Sequence, residues 1–351
     1  MKAVILAGGF ATRLRPLSCT RPKTLFPILN KPLLQWIFER LARDGVDEAI
    51  LAVNQLTEFY IKQQRIPRSG IAVKYSHDPP KKPLGTAGPV KRAEHLLGLE
   101  PFLVLNGDIY ADISYKELMQ KHVKTGAWGT LSLYEVKDPS RYGVAELAKD
   151  ERITRFVEKP AKGTEPSKLI NAGVYVLSPE VLQLIPEGRA VSMEREVFPK
   201  LASQGKLYGQ IVRGLWIDIG RPEEYLQANR MLLDSIEQKQ KTKIAEKVQV
   251  EKPIALDEGV SVGEKSKIGP YAVLGKNVAV GKNVQISNSV ILPGTRIADC
   301  AQIYGAIIGE EAVIGENVKI TKGCIIADHA RILKNVTLAG DTAVCPAKEI
   351  S

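Results

Sequence analysis

The feature that most constrains the fold is a six-residue period in the C-terminal part of the chain. Aliphatic residues recur at every sixth position, and the period resumes after a phase slip near Ile297–Ile303. An α-helix repeats about every 3.6 residues and a strand every two, so neither gives this period. A parallel β-helix of hexapeptides does, because each hexapeptide forms one side of a triangular coil. The repeating positions are Val262, Ile268, Leu274, Val280, Ile286 and Leu292, then Ile308, Ile314, Ile320, Ile326, Ile332, Leu338 and Val344.

Two further patterns accompany this period. Glycine follows the aliphatic residue in several repeats, as at Gly263 and Gly269, and a small residue stands two positions before it, as at Ser266 and Ala272. Glycine–lysine pairs in this region lack the spacing of a phosphate-binding P-loop, and the repeat itself explains them. We therefore predict a β-helix domain over residues 256–351, preceded by a polar linker over 241–255.

Residues 1–240 have a different pattern, in which short apolar runs alternate with helical patterns. This alternation predicts a mainly parallel sheet covered by helices on both faces. Ligands of such sheets bind beyond the carboxyl ends of the strands. The candidate strands are 3–7, 49–53, 71–75, 102–105, 130–136, 153–157, 173–177 and 207–212, and the clearest helix has Leu33, Leu34, Ile37, Phe38 and Leu41 on one face before Gly45.

The first predicted strand leads into a glycine turn, Gly8-Gly9, where the backbone can approach a ligand closely. Four cations follow, namely Arg13, Arg15, Arg21 and Lys23. A glycine turn surrounded by positive charge is suited to nucleotide phosphates. The adjacent glycines do not fit the Gly-x-Gly-x-x-Gly pattern of dinucleotide-binding proteins. Arg15 and Arg21 have an alternative interpretation as surface or structurally paired side chains.

Composition excludes several classes of protein. The formal net charge is +10, but the basic residues are spread along the chain without the aromatic-interleaved cluster of a nucleic-acid binder. The chain lacks an 18-residue apolar run, and its N-terminus enters a strand directly, so we expect neither a membrane span nor a secretion signal. Cys19, Cys300, Cys324 and Cys345 show no metal-ligand spacing and are expected to be reduced thiols of a cytoplasmic protein.

Two carboxylates are candidate metal ligands. Asp108 follows the apolar run 102–105, and Asp218 stands alone within the apolar run 215–219. One or two protein carboxylates, with substrate phosphates and water, are the usual ligands of Mg²⁺. The alternatives are a turn-forming role for Asp108 and a helix-capping role for Asp218 ahead of Pro222.

The segment Gly8-Gly-Phe-Ala-Thr-Arg-Leu-Arg-Pro16, with Pro22-Lys23 and Asn30-Lys-Pro32, resembles the opening motif of sugar-1-phosphate nucleotidylyltransferases. It departs at Ala11, where the family usually has glycine, and at Thr24, where proline often follows the lysine. The resemblance covers essentially the whole chain and implies a Rossmann-like domain of the nucleotide-diphospho-sugar transferase type, followed by a left-handed β-helix.

The implied reaction has a sugar-1-phosphate oxygen attack the α-phosphorus of a nucleoside triphosphate, with pyrophosphate leaving. The nucleophile is already anionic, so catalysis requires positioning and charge neutralisation rather than a general base. None of the four histidines stands in a catalytic motif. By resemblance, Arg13 and Lys23 contact the triphosphate, Lys159 contacts the sugar phosphate, and Asp108 and Asp218 hold Mg²⁺.

The resemblance assigns two further groups of residues. The nucleotide site comprises Leu6, Gly8, Gly9, Gly85, Thr86 and Asp108, and the sugar-phosphate site comprises Tyr142, Gly143, Glu158, Lys159 and Asn171. Thr86 has an alternative interpretation as a helix cap, and Glu158 with Lys159 as a solvated pair at a strand end.

The resemblance favours GTP and mannose 1-phosphate as substrates and GDP-mannose as product. UTP or dTTP with glucose 1-phosphate remains an alternative, since guanine recognition and the sugar epimer cannot be read from residue types. A non-catalytic subunit that senses nucleotide sugars, and an acyltransferase of the hexapeptide-repeat type, are the alternatives from other classes. The β-helix favours a homo-oligomer.

Overall fold

The computed structural model describes residues 1–9, 12–79, 83–236 and 247–351. The chain forms two compact units, Met1–Gly9 with Leu33–Ile217, and Phe10–Pro32 with Asp218–Ser351. This division differs from the predicted boundary near residue 240, because segments from both ends of the first predicted domain belong to the unit of the β-helix. Ala11 and the linker residues 241–246 lie outside the described residues.

The strands up to residue 218 are β1 Lys2–Leu6, β2 Pro27–Ile28, β3 Lys31–Pro32, β4 Glu48–Val53, β5 Ala72–His77, β6 Phe102–Asn106, β7 Ile109–Ala111, β8 Gly129–Glu135, β9 Gly143–Leu147, β10 Ile153–Glu158, β11 Leu169–Leu177, β12 Leu207–Ile211 and β13 Trp216–Asp218. The α-helices are α1 Leu33–Arg43, α2 Gln55–Gln63, α3 Gly88–Arg92, α4 Glu94–Leu97, α5 Tyr115–Thr125, α6 Phe198–Ser203 and α7 Pro222–Ser235. Short 3₁₀ turns and a π-helical turn, Met193–Val197, connect them.

The sheet of the first unit has the strand order β10-β9-β11-β6-β1-β4-β5, with β8 between β11 and β12. Strands β6, β1, β4 and β5 are mutually parallel, which confirms the Rossmann-like, mainly parallel sheet. Antiparallel pairing of β11 with β6 and β8, and of β9 with β10, extends it. Leu6 pairs with Asn106, so β1 and β6 end side by side and their following loops share one edge.

Helix α1 has the predicted inner face, because Leu33, Leu34, Ile37, Phe38 and Leu41 are all buried. Gly45, with a φ of +81°, follows its end, as the sequence indicated. The core around β6, β8 and β11 includes Phe102, Tyr175 and Phe198. No helix among the described residues combines the length and apolarity needed to cross a membrane.

The C-terminal strands are β14 Gln249–Val250, β15 Ile254–Leu256, β16 Ser261–Val262, β17 Lys267–Ile268, β18 Ala272–Leu274, β19 Ala279–Val280, β20 Gln285–Ser287, β21 Val290–Ile291, β22 Arg296–Ile297, β23 Gln302–Tyr304, β24 Ile307–Ile308, β25 Val313–Ile314, β26 Lys319–Ile320, β27 Ile325–Ile326, β28 Arg331–Ile332, β29 Thr337–Leu338, β30 Ala343–Val344 and β31 Glu349–Ile350. Every third strand joins the same parallel sheet, and three such sheets form the sides of the coil. This arrangement confirms a parallel β-helix and is consistent with the expected left-handed type.

The phase slip of the repeat lies elsewhere than the sequence indicated. Leu274 pairs with Ile291 rather than Leu292, so the first five-residue step falls between Ile286 and Ile291. A second short step separates Ile303 from Ile308. The first shortening occurs at a tight turn around Asn288, which has a φ of +51°. The ladder also begins earlier than residue 256, because β14 and β15 already pair with the next coil.

Candidate active site

The glycine turn after β1 is held in place by backbone and side-chain hydrogen bonds. Leu6 accepts a bond from Gly107 N at 2.9 Å, and Asn54 Nδ2 donates to the Gly8 carbonyl at 3.1 Å. A Cβ on Gly8 would lie 2.9 Å from Asp78 Oδ2, so a larger residue cannot be placed here without displacing that carboxylate. Gly9 is exposed with open space beside its Cα, as a backbone that receives a ligand requires.

Asp108 stands at the same edge of the sheet as this turn. It is half-buried and follows β6 after Gly107, where a Cβ would lie 2.7 Å from the Leu6 carbonyl oxygen. Glycine at position 107 therefore lets the β1 and β6 loops approach closely. Gly8 and Asp108 follow β1 and β6, and the parallel pairing of these two strands puts both loops at one edge of the sheet.

Gly85 and Thr86, which the resemblance assigns to the nucleotide site, are bonded to residues 191–194, far along the chain of the first unit. Gly85 has a φ of +74° and forms a bridge with Val191, whose carbonyl oxygen would lie 2.3 Å from an added Cβ. The Thr86 hydroxyl donates to Glu194 Oε2 at 2.6 Å and accepts from Met193 N at 2.8 Å. The helix-cap alternative for Thr86 is wrong, because the N-cap of α3 is Ala87 and lacks a side-chain bond.

Strands β9 and β10 bring together four of the predicted sugar-phosphate residues. Gly143 pairs with Glu158, and Lys159 N donates to the Tyr142 carbonyl at 3.0 Å. A Cβ on Gly143 would lie 3.0 Å from Glu158 Oε2 and 2.5 Å from the Phe156 ring, so a larger residue at this position would displace these side chains. Glu158 and Lys159 form an ion pair at 3.3 Å.

Asn171 and two aromatic rings complete the surroundings of this pair. Asn171 lies on β11, which contacts β9, and its Oδ1 accepts from Gly173 N at 3.0 Å. The Trp216 ring meets Tyr142 edge-on at 5.5 Å and stacks on Tyr134 at 5.6 Å. Its Nε1 donates to the Ala172 carbonyl at 2.9 Å. Sequence reasoning did not single out Trp216 as a neighbour of Tyr142, because its three partners come from separate segments of the chain.

Burial and neighbouring charges both act on the Glu158 carboxyl. Burial raises the pKa of the Glu158 carboxyl, the Lys159 ammonium opposes this shift, and the Glu194 carboxylate adds to it. The Glu158 side chain is only 14% exposed, so it is not a solvated pair member, whereas the Lys159 side chain is 59% exposed. Lys159 has a φ of +49°, a left-handed conformation that non-glycine residues adopt mainly at constrained sites.

The second unit contains the remaining candidates, Arg13, Lys23 and Asp218. Lys23 Nζ lies 3.5 Å from Asp218 Oδ1, and both side chains are largely buried. Asp218 is not a helix cap, because the N-cap of α7 is Arg221. Arg13 lies in the 3₁₀ turn Thr12–Leu14 and is exposed.

Arg21 is paired with two carboxylates of the β-helix. Its side chain is 5% exposed, with Nη2 2.6 Å from Asp328 Oδ2 and Nη1 2.7 Å from Glu310 Oε1. Burial works against the charged guanidinium, but attraction to Asp328 and Glu310 outweighs it and raises the pKa of Arg21 above its usual range. The structural-pair interpretation of Arg21 is therefore confirmed, while Arg15 is exposed.

The donor chemistry fits a metal that is held partly by substrate. Among the described residues, no group of three or more His, Cys, Asp and Glu side chains gathers as a preformed metal site. Mg²⁺ is commonly held by one or two carboxylates and completes its shell with phosphate and water oxygens. Asp108 and Asp218 are residues of this kind.

Comparison with known proteins defines the class of the chain. Residues 2–235 match the Nucleotidyl transferase family, and this match covers well over half of the sequence. The chain therefore belongs to the Nucleotidyl transferase family, as the opening motif indicated. Residues 250–351 match the GMPPB C-terminal domain, and this range includes the predicted β-helix domain.

Individual relatives narrow the class further. The mannose-1-phosphate guanylyltransferase catalytic subunit beta of Danio rerio is 42% identical over 241 residues, which are 68% of this chain and 66% of that protein. The mannose-1-phosphate guanyltransferase of Aspergillus oryzae is 41% identical over 240 residues, 67% of this chain and 65% of that protein. The matched part thus spans slightly less than two thirds of these relatives. The crystal structure of HddC from Yersinia pseudotuberculosis complexed with GMP-PN gives a TM-score of 0.56 at 30% identity, covering 66% of this chain and 99% of that chain.

Proposed function

We propose that the protein transfers a guanylyl group from GTP to mannose 1-phosphate. The phosphate oxygen of the sugar phosphate bonds to the α-phosphorus of GTP, the bond from that phosphorus to the bridging oxygen breaks, and pyrophosphate leaves with the electron pair. The products are GDP-mannose and pyrophosphate. The observation that carries this proposal is the 42% identity over 241 residues to a mannose-1-phosphate guanylyltransferase.

The residues divide the work between binding and charge neutralisation. Glu158 and Asn171 accept hydrogen bonds from hydroxyl groups of the sugar, and Lys159 neutralises the negative charge of its phosphate. Arg13 and Lys23 neutralise the triphosphate, which removes repulsion between two anionic substrates. Gly8, Gly9 and Gly85, with Leu6 and Thr86, surround the base.

Asp108 and Asp218 are the residues that would hold a Mg²⁺ ion. When bound, the ion supplies positive charge to the phosphate oxygens in the transition state. The 3.5 Å distance between Lys23 Nζ and Asp218 Oδ1 supports this proposal, because phosphoryl transfer needs both a cation and a carboxylate that can hold a metal ion.

The test is pyrophosphate release with each of five nucleoside triphosphates against the 1-phosphates of mannose, glucose, galactose and N-acetylglucosamine. We expect GTP with mannose 1-phosphate to give the highest kcat/KM. The highest kcat/KM with UTP or dTTP and glucose 1-phosphate would contradict the proposal and identify that activity instead. No release with any pair would leave the sensing subunit as the better explanation, and GDP-mannose binding by calorimetry would then test it.

We also propose a homo-oligomer that forms through the β-helix in the cytoplasm. Tyr304, Val313 and Leu333 are exposed apolar side chains on the β-helix. All four cysteines are free in the structure, which suits a reducing compartment. Light scattering of the purified chain tests the assembly, and a monomer at micromolar concentration would contradict it.

A further inference from the structure

A buried carboxylate of the β-helix is bonded to the segment that contains the proposed triphosphate cations. Asp328 is 3% exposed and its two oxygens have different partners. Oδ2 accepts from Arg21 Nη2 and from the Thr20 hydroxyl, each at 2.6 Å, and Oδ1 accepts from Glu310 N at 2.7 Å. One side chain therefore joins a β-helix turn to residues 20 and 21.

The segment fixed in this way leads directly to a proposed catalytic side chain. Arg21 is followed by Pro22 and then by the 3₁₀ turn Lys23–Leu25, whose first residue places Nζ 3.5 Å from Asp218 Oδ1. Pro22 restricts the backbone between the two. A displacement of the Arg21 backbone is therefore expected to displace Lys23 as well.

The charge of Asp328 matters more than its volume. Arg21 is buried beside Asp328 and Glu310, and a buried guanidinium that loses a carboxylate partner is strongly destabilised where it is. The Arg21 side chain would then move toward solvent and take residues 20–23 with it.

We propose that Asp328, acting through Arg21 and Thr20, is a positioning residue of the β-helix that sets Lys23 in its catalytic place. The proposal rests on the proposed nucleotidyl transfer for its kinetic consequence. It assigns the β-helix a part in the reaction in addition to any part in assembly.

The matched control is Asp299. Its Oδ1 accepts from Lys282 N at 2.8 Å, just as Asp328 Oδ1 accepts from Glu310 N, but Asp299 is exposed. Asp299→Asn and Asp328→Asn therefore make the same chemical change at turns that follow strands of two different sheets of the β-helix, and only the second removes the charge beside Arg21.

The first measurement is amide hydrogen exchange of residues 12–26 in the full-length chain. We expect faster exchange in Asp328→Asn than in wild type, and wild-type exchange in Asp299→Asn. Equal protection in the two variants would overturn the proposal. This measurement does not depend on activity, so it stands even if the proposed reaction is not observed.

The second measurement is steady-state pyrophosphate release from GTP. We expect kcat/KM for GTP to fall about a hundredfold in Asp328→Asn, as misplacement of a catalytic group by about 1 Å does. Asp299→Asn should keep wild-type kinetics. Loosened exchange with unchanged kinetics would refute the positioning role, whereas an inactive wild type would refute the proposed function instead.

A third variant covers the case in which Asp328→Asn does not fold. Thr20→Val keeps the ion pair and removes the short hydroxyl bond to Asp328, together with the longer one to the Leu17 carbonyl at 3.2 Å. We expect a smaller loss of kcat/KM, in the same direction, with a melting temperature close to wild type. Unchanged exchange and kinetics in Thr20→Val would then overturn the proposal.

Discussion

Individual residues show how far the chemistry was readable from the sequence. The pairing of Glu158 with Lys159 at a strand end was predictable, because proline follows them and the strand pattern stops there. The contact of Thr86 with Glu194 was not, since 108 residues separate the two and neither stands in a pattern that points to the other. Side-chain partners that come from distant segments depend on tertiary packing, which one sequence does not display.

Lys159 offers a prediction at this scale. Lys159→Ala should raise KM for the sugar phosphate far more than KM for the nucleotide, because the exposed ammonium is proposed to meet the sugar phosphate. Lys162→Ala is the control, since Lys162 is a nearby exposed lysine. Initial rates with each substrate varied in turn give both constants, and a larger effect on the nucleotide would reject the assignment.

Asp218 offers a second prediction at the residue scale. Asp218→Asn should lower kcat by orders of magnitude, because the amide cannot supply the negative charge proposed to hold Mg²⁺. Asp234→Asn, an exposed substitution on α7, should leave turnover unchanged. Mg²⁺-dependent rates near wild type in Asp218→Asn would contradict the metal assignment.

At the scale of elements, strands with a strong apolar pattern were predicted well, and strands without one were missed. The structure confirms α1 and the strands β1, β4 and β6 to within a residue or two. Strand β9 went unrecognised because the turn residues Pro139-Ser-Arg-Tyr precede it and its Glu146 faces solvent. The misplaced phase slip has a similar cause, as Ile291 and Leu292 are both aliphatic and both buried.

The packing of α5 on β8 and β11 buries a histidine that the proposed chemistry does not use. The Ser178 hydroxyl donates to the Ala127 carbonyl and lies 2.9 Å from His122 Nε2, so it accepts from Nε2–H. Thr130 then donates to Nδ1, which leaves a neutral ring with both nitrogens bonded. Burial lowers the pKa of His122 to about 4.

Because of His122, we expect the folded chain to become less stable in acid. The unfolded chain binds a proton at His122 near pH 6.5 and the folded chain only near pH 4, so its contribution is present above pH 6.5 and declines as the pH falls toward 4. We expect a contribution of roughly 2 kcal/mol to be lost between pH 7 and 5. Urea unfolding at both pH values measures it.

The comparison variant is His122→Gln, which cannot take up this proton. It should be less stable at pH 7, because a well-bonded ring is lost, but its stability should fall less between pH 7 and 5 than that of wild type. His95→Gln, at an exposed position, should keep the wild-type dependence. Equal pH dependence in all three proteins would show that His122 does not titrate in this way.

The whole molecule is divided differently from its sequence pattern. The change of period predicts two folds and places the boundary near residue 240, yet Phe10–Pro32 belongs to the unit of the β-helix. Besides the bonds of Asp328, Asn30 Nδ2 donates to the Leu274 carbonyl at 3.0 Å, and the Arg230 guanidinium lies 4.4 Å from the centre of the Tyr271 ring. These contacts join residues that carry no shared periodicity, so the sequence pattern could not predict the division.

A truncation tests this division. The chain 1–246 should lose nearly all turnover, because Thr20 and Arg21 would lose their hydrogen bonds to Asp328 and Glu310, which hold the residues before Lys23. The chain 1–340 retains both carboxylates and should keep substantial activity. Pyrophosphate release is measured for both chains. Full turnover by 1–246 would show that residues 20–23 keep their position without the β-helix.

The ion pair between Arg21 and Asp328 spans 307 residues of sequence. During synthesis, the segment that holds Arg21 therefore leaves the ribosome long before Asp328 has been added. A nascent chain that stops before residue 328 lacks this partner, and we expect it to be inactive in the proposed reaction.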